Sequence, residues 1–400
     1  MTTFKRTVFF NVLTGSISGM FAKSEEEISS SPNVPQSVRW YNKSVNPVFY
    51  EPSILISCPH NRNKKEIRKD MMIDDDCFVF VDSGGFQLAT QVVTEKEYTR
   101  EIALEWSEKH GDVFPILDMP VSSGNRTPQE TLDFSVKSAK YYYENRQNPH
   151  CCILNVLSAN RHSNMEHWYN SIKDFKFNGW AYGGHKNYAK AIIQSILFLE
   201  SKGEFKRAET PILHMFGTTS FAVLPYILYA QYLLDKMNIN CLLTFDSSSA
   251  SALANYGKYI LTCAPTGITN LKISNKDFMT KNLEGKTFGC DCPVCKGITD
   301  LDYLFSDQGK WQYYSLLAIH NYYKMNQFKR DIEHLFMLDC KETLHSFPTF
   351  MVKNFKAMDK AFKAMGKKGI HIIENEFNID SKAKPIELSG STNSLSAFLN

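Results

Sequence analysis

From Ile54 onward, short apolar runs alternate with amphipathic stretches of helical period, and this rhythm restricts the possible folds more than any other feature of the chain. The runs are Ile54–Ser57, Cys77–Val81, Val113–Leu117, Cys151–Leu157, Gly179–Tyr182, Ile212–Met215 and Cys241–Phe245, with an eighth expected near Lys258–Leu261. Between them, Glu95–His110 places Tyr98, Ile102 and Trp106 on one helical face. Pro128–Asn145 begins with Thr127-Pro128-Gln129-Glu130, a capping box with proline at the first helical position. Strands separated by helical crossovers run parallel, and eight of them close a barrel. An open, doubly wound sheet is the competing arrangement. The placing of polar residues favours the barrel: Asp82, Asp118, Gly183-Gly184, Gly217 and Asp246 each lie just past an apolar run. In a parallel barrel those strand ends meet at one mouth.

The expected fold is therefore a (β/α)8 TIM barrel over residues 54–285 of a 400-residue chain. Residues 1–53 form an N-terminal segment in which Thr7–Leu13 has strand character and Ser24–Asn46 reads as a long polar surface loop. Residues 286–340 form a metal-binding insertion, 341–384 a basic helical region and 385–400 a poorly ordered tail.

The insertion carries the sharpest local signal. Cys290, Cys292 and Cys295 fall within six residues, with turn formers Asp291, Pro293 and Gly297 among them, and His320 follows on a helical stretch. Three thiolates and an imidazole are a donor set for zinc. A shell of four protein ligands leaves no open position for catalysis, so the metal is expected to be structural. The other seven cysteines, Cys58, Cys77, Cys151, Cys152, Cys241, Cys263 and Cys340, are odd in number and mostly lie in apolar runs, as buried thiols of a reducing compartment do. The first ten residues lack the apolar core of an export signal. The longest near-apolar run, Phe221–Leu234, is broken by Pro225 and Gln231 and is too short to span a bilayer. A soluble, cytoplasmic protein is expected. The net charge of +3 is too small to identify a polyanionic partner, so any nucleic-acid site has to come from local patches.

Two carboxylates carry the expected chemistry. Asp82 stands in Val81-Asp82-Ser83-Gly84-Gly85-Phe86-Gln87, where the glycine pair would let a flat ligand approach the backbone. Asp246 ends Leu243-Thr244-Phe245-Asp246. Two acids at one barrel mouth can transfer a glycosyl group: one attacks the anomeric carbon and the other handles the proton of the departing group. A strand-terminal aspartate is also a common cap or turn former, so spacing alone leaves both roles open.

Asp82-Ser-Gly-Gly-Phe-Gln87, Leu117-Asp118, Gly179-Trp-Ala-Tyr-Gly-Gly184, His214-Met-Phe-Gly217, Phe245-Asp246 and the cysteine knuckle through His320-Asn321 occur in this order. In this the chain resembles the tRNA-guanine transglycosylases over roughly residues 54 to 340. That family pairs a (β/α)8 barrel with a zinc-bearing insertion and exchanges guanine in a polynucleotide for a 7-deazaguanine. The resemblance implies that Asp246 is the nucleophile that takes C1′ into a covalent intermediate and Asp82 the general acid and base. It implies that Asp118 accepts from guanine N1 and the 2-amino group, and that the Gly183-Gly184 backbone meets O6. Ser83 and Gly84 fall within the binding motif, and Phe86 stacks on the base, with Met215 or Phe216 as the opposite wall. A zinc-region homodimer, as in relatives, is one arrangement it allows.

The chain departs from the pattern where tRNA is read. After Asp246 come Ser-Ser-Ser-Ala-Ser-Ala-Leu, without arginine, and Asn155-Val-Leu-Ser158 stands where a Gln-Gly is expected. Asn155 offers an amide to the base, and His185, just after the glycine pair, is either a substrate contact or a packed loop residue. These departures resemble the DpdA-type branch of bacteria and their viruses, which places 7-deazaguanines such as 7-cyano-7-deazaguanine in DNA. DNA is thus the expected partner, with tRNA exchange, or a noncatalytic tRNA-binding subunit, as alternatives. Near the C-terminus, Lys353, Lys356, Lys360, Lys363 and Lys367 recur opposite an apolar stripe of Met351, Phe355, Met358, Phe362 and Met365. They read as a track for phosphates or as an ordinary solvated face.

Overall fold

The computed structural model describes residues 5–13, 37, 39–120, 126–159, 162–184, 188–207, 211–218, 220–272, 290, 292–296, 310–338 and 341–378. Eight parallel strands close a barrel in sequence order: β1 (Val8–Val12), β2 (Ser53–Ser57), β3 (Phe78–Asp82), β4 (Val113–Pro115), β5 (Cys152–Ser158), β6 (Gly179–Gly183), β7 (Ile212–Met215) and β8 (Leu242–Ser247). Helices between the strands pack around the outside, as expected of a (β/α)8 barrel. The closing seam pairs β8 with β1, Asp246 opposite Phe10.

The first strand corrects the expected boundaries. The eighth barrel strand is Val8–Val12, so the barrel begins at residue 8 rather than 54. The segment near Lys258 is β9 (Lys258–Ala264), which turns back into β10 (Gly267–Lys272) as an antiparallel hairpin outside the barrel. The described part of the expected surface loop is only partly at the surface: Ser37, Arg39, Trp40, Tyr41 and Asn42 are buried, whereas Lys43, Ser44 and Asn46 are exposed. Trp40 lies parallel to Phe49 and packs on Tyr322 of the long helix Lys310–Met337, so this segment wedges between barrel and helix.

Strand register fixes which side chains enter the barrel. Partners on parallel strands share a face, and the face alternates along each strand. Phe10, Phe80 and His214 meet inside, with Phe80 stacked on His214 at 4.0 Å between centroids. Their outward neighbours Phe9 and Phe245 stack at 4.9 Å on the helix side. Burying each such phenylalanine contributes about 1.5–3 kcal/mol.

Helix Lys310–Met337 covers the β1 side of the barrel. Tyr322 donates to the Val12 carbonyl, Asn326 donates to Asn11 Oδ1 at 2.9 Å, and the Thr7 N–H donates to Glu333 Oε1 at 2.9 Å. Helix Thr349–Ala364 buries Met351, Phe355, Met358 and Phe362 and meets helix Leu224–Lys236 through Phe355 against Tyr226 and Tyr229, with Asn354 donating to Tyr226 and Tyr229 donating to Asp359. Its opposite side exposes Lys353, Lys356, Lys360 and Lys363. Lys367 leaves that row, because the helix stops at Ala364, Met365 turns with a φ of 52°, and a new helix runs Gly366–Glu376. Among the described residues no helix is long and apolar enough to cross a membrane. The tail 385–400 and Cys340 lie outside the described residues; of the other six cysteines beyond the knuckle, Cys58, Cys77, Cys151 and Cys241 are buried and Cys152 and Cys263 partly so.

Candidate active site and metal centre

The mouth of the barrel gathers Asp82 at the end of β3, Asp118 just past β4, Gly183 at the end of β6 and Asp246 near the end of β8. Asp82 and Asp246 have the inward parity of Phe80 and Phe10, so both carboxyl groups face the same interior.

Asp246 is held from β7 and the turn after it. The Gly217 N–H donates to Oδ1 at 2.7 Å, and His214 Nε2 lies 3.2 Å from the same oxygen. The other ring nitrogen, Nδ1, lies 2.9 Å from Thr244 Oγ1. His214 is fully buried, and that burial lowers its pKa against the raising effect of Asp246. A neutral ring that accepts the Thr244 hydroxyl proton at Nδ1 carries its own proton at Nε2, aimed at Asp246. Both bonds end on Oδ1, and among the described residues none reaches Oδ2.

Asp82 has a different environment. Burial pushes its carboxyl up to about 6; the Gly84 N–H opposes this, the Asp246 charge adds to it and the Gln87 side chain opposes it. The Gly84 contact measures 3.3 Å to Oδ1. Asp118 is pushed up to about 7, by burial first and then by the charge of Asp82. The three acids thus sense one another in sequence, Asp118 to Asp82 to Asp246. A pair of acids whose environments differ in this way suits a division into nucleophile and proton carrier.

The glycine pair has another role than the one its sequence suggests. Gly84 has a φ of +88°, and a Cβ there would sit 2.1 Å from Pro59 Cγ. A Cβ at Gly85 would sit 2.3 Å from the Asp118 carbonyl oxygen and 2.8 Å from Oδ1. The space above both is filled by protein, so the pair permits internal packing that brings Asp118 against the β3 turn, and no ligand enters there. Open backbone is found instead at Gly183 and Gly184, which are half-exposed and meet neighbours only at 3.5 Å or more.

Several expected contacts are relocated. Ser83 is buried, and its hydroxyl donates to the Ile116 carbonyl at 3.1 Å, tying β3 to β4, so its side chain does not line the mouth. Asn155 has the outward parity of its partner Trp180 and donates to the Phe175 carbonyl at 2.7 Å, away from the interior. Ser158, at the end of the same strand, has inward parity. Met215 is fully buried and shares the outward face of Phe245, whereas Phe216 reaches the mouth beside Gly183 and stands edge-on to His214. Phe86 is 60% exposed, on the short helix Gly85–Ala89 directly after Asp82. His185 lies outside the described residues. His214 and Gln87 were not among the expected site residues; the available signal was a polar residue inside a buried strand and a second amide in the Asp82 motif.

The four expected metal ligands come together away from the mouth. One ligand atom from each of Cys290, Cys292, Cys295 and His320 lies within 4.8 Å of the others. His320 Nε2 contacts the Ile260 carbonyl at 2.9 Å, which places its proton there and turns Nδ1 toward the sulfurs, 3.2 Å from Cys292 and 3.3 Å from Cys295. Tyr259 stacks on the imidazole at 3.8 Å and reaches Cys295 Sγ with its hydroxyl. Asn321 bonds Ile260, Lys258 and Ala250, so the cluster joins the hairpin β9–β10 to the long helix. Four converging donors with an oriented imidazole can hold a metal ion. No protein-family model matches the chain, and no curated protein is significantly similar to it.

Proposed function

We propose that this protein is a base-exchange transglycosylase that replaces guanine in DNA with a 7-deazaguanine such as 7-cyano-7-deazaguanine. The observation that carries the reading is the pair Asp246 and Asp82 at one barrel mouth, one fixed by two donors on a single oxygen, the other raised toward neutral pH. In the first displacement Asp246 Oδ2 bonds to C1′ while the C1′–N9 bond breaks and Asp82 gives its proton to the departing guanine. In the second, the incoming base passes its N9 proton to Asp82 and attacks C1′, and Asp246 leaves as a carboxylate. Two inversions at one carbon retain its configuration.

Asp118 gives selectivity. Ionised, it accepts from guanine N1 and the 2-amino group, while an adenine would leave it unpaired. Phe86 and Phe216 are the two faces of the base slot, with the Gly183-Gly184 backbone at O6. The target nucleotide has to be flipped from its stack, at a cost of a few kcal/mol. DNA is favoured over tRNA because the helix Ser249–Asn255 that follows the nucleophile contains no basic residue. The exposed Lys353, Lys356 and Lys363, with Lys367 on the next helix, supply positive charge for phosphates, whereas Lys360 is paired with Glu376 at 2.7 Å. Zinc in the Cys290, Cys292, Cys295 and His320 cluster is structural, since all four positions are filled by protein.

The test is incorporation of radiolabelled guanine or 7-cyano-7-deazaguanine into DNA and into tRNA by the purified protein. Label in DNA alone is expected. Label only in tRNA transfers the reading to tRNA exchange, and label in neither removes it.

A further inference from the structure

The contacts around Asp246 carry a consequence for the second half of the reaction. Gly217 N–H and His214 Nε2 converge on Oδ1, at 2.7 and 3.2 Å, and no bond among the described residues is recorded to Oδ2. When Oδ2 bonds to C1′, Oδ1 becomes the carbonyl oxygen of a glycosyl ester and loses most of its negative charge. In the second displacement the electron pair of the C1′–Oδ2 bond returns to the carboxylate, and half of that charge reappears on Oδ1. Donors already aimed at that atom stabilise it without reorganisation, as an oxyanion hole does. We infer that His214, together with the Gly217 backbone, serves as a leaving-group cradle that positions Asp246 and selectively speeds release of the covalent intermediate. This rests on the exchange reading above.

The surroundings of His214 fit this role. The ring is closed in by Phe80 stacked at 4.0 Å, Phe10 at 5.9 Å and Phe216 at 5.1 Å, so its hydrogen bonds are shielded from water. Thr244 Oγ1, 2.9 Å from Nδ1, can donate there and so leave the ring proton on Nε2, facing Asp246. Apart from burial, the only charge acting on His214 is that of Asp246, among the described residues. The imidazole is thus a neutral donor, whose bond to a carboxylate strengthens as charge arrives. The same bond steadies the free nucleophile, so its loss leaves the first displacement unchanged or faster while the second slows.

The experiment is a rapid-quench time course with a guanine-containing oligonucleotide, measuring covalent protein–DNA adduct and exchanged product separately for wild type, His214→Phe, His214→Gln and Thr244→Val. His214→Phe is expected to slow product release on the order of 10- to 100-fold, the value of one hydrogen bond to a charged group, while adduct accumulates. His214→Gln, which keeps a donor, should restore most of the release rate, and Thr244→Val should fall between them. Equal slowing of both steps in His214→Phe and His214→Gln, or no change in the adduct fraction, overturns the inference. Should His214→Phe fail to fold, the His214→Gln and Thr244→Val pair decides alone: an adduct fraction unchanged from wild type in both overturns it. A wild-type protein that forms neither adduct nor product removes the exchange reading itself, a result distinct from all of these.

Discussion

Replacing Asp118 by asparagine removes a carboxyl that folding shields from water. Burial, with the Asp82 charge adding to it, raises that carboxyl from 3.8 to about 7. The native state therefore keeps a proton that the unfolded chain gives up. The stability of the wild type is unaffected below the unfolded value, and is lost as pH climbs from about 4 until the folded carboxyl itself ionises near 7. An interval of about three pH units at ~1.4 kcal/mol each sets a ceiling of roughly 4 kcal/mol above pH 7. About 2–3 kcal/mol of it falls between pH 5 and pH 8. The amide has nearly the same shape and does not ionise. Asp118→Asn should thus be more stable than wild type at pH 8, with its pH dependence flatter by about 2 kcal/mol. Urea midpoints at the two pH values read the difference. Parallel pH profiles, or a variant weaker than wild type at pH 8, would refute the reasoning. The same substitution should abolish discrimination for guanine.

Two further substitutions test other parts of the structure. Gly84→Ala combines a left-handed φ of +88° with a collision against Pro59, whereas Gly203→Ala has a φ of +76° and open space. Gly203→Ala should cost about 1 kcal/mol and Gly84→Ala about 2–4 kcal/mol in denaturant melts, and equal costs would rule out the Pro59 packing. Cys292→Ser should lower bound metal per chain and thermal stability together, because the cluster ties the β9–β10 hairpin to the long helix; an unchanged melting curve in metal-free protein would contradict a structural zinc.

Seven of the eight barrel strands, the capping box at Thr127 and the four members of the Cys/His cluster that could hold a metal ion were legible in the sequence, since each rests on sequence spacing. The eighth strand's place in the barrel was not: Thr7–Leu13 has strand character, but nothing local joins it to β2 and β8. A run such as Lys258–Ala264 shows that a strand forms but not whether its neighbour is parallel, and Val8–Val12 is separated from its partner β2 by the long segment that follows it. Facing was equally hidden. Asn155 lies on a strand buried on both sides, where no polar alternation marks inside from outside, so only register with Trp180 shows that it points away. The glycine pair misled because the atoms that fill the space above it, from Pro59 and Asp118, come from other parts of the chain. His214 sits in a run of apolar residues, and its value depends on Thr244 and Asp246 one strand away.

The most direct test of the two-carboxylate site is mass spectrometry of the protein denatured during reaction with a guanine-containing oligonucleotide, with proteolysis to locate any attached nucleotide. An adduct mapped to Asp246, absent from Asp246→Ala and formed slowly by Asp82→Asn, is the predicted result. An adduct on another residue, or base exchange by Asp246→Ala at the wild-type rate, would contradict it.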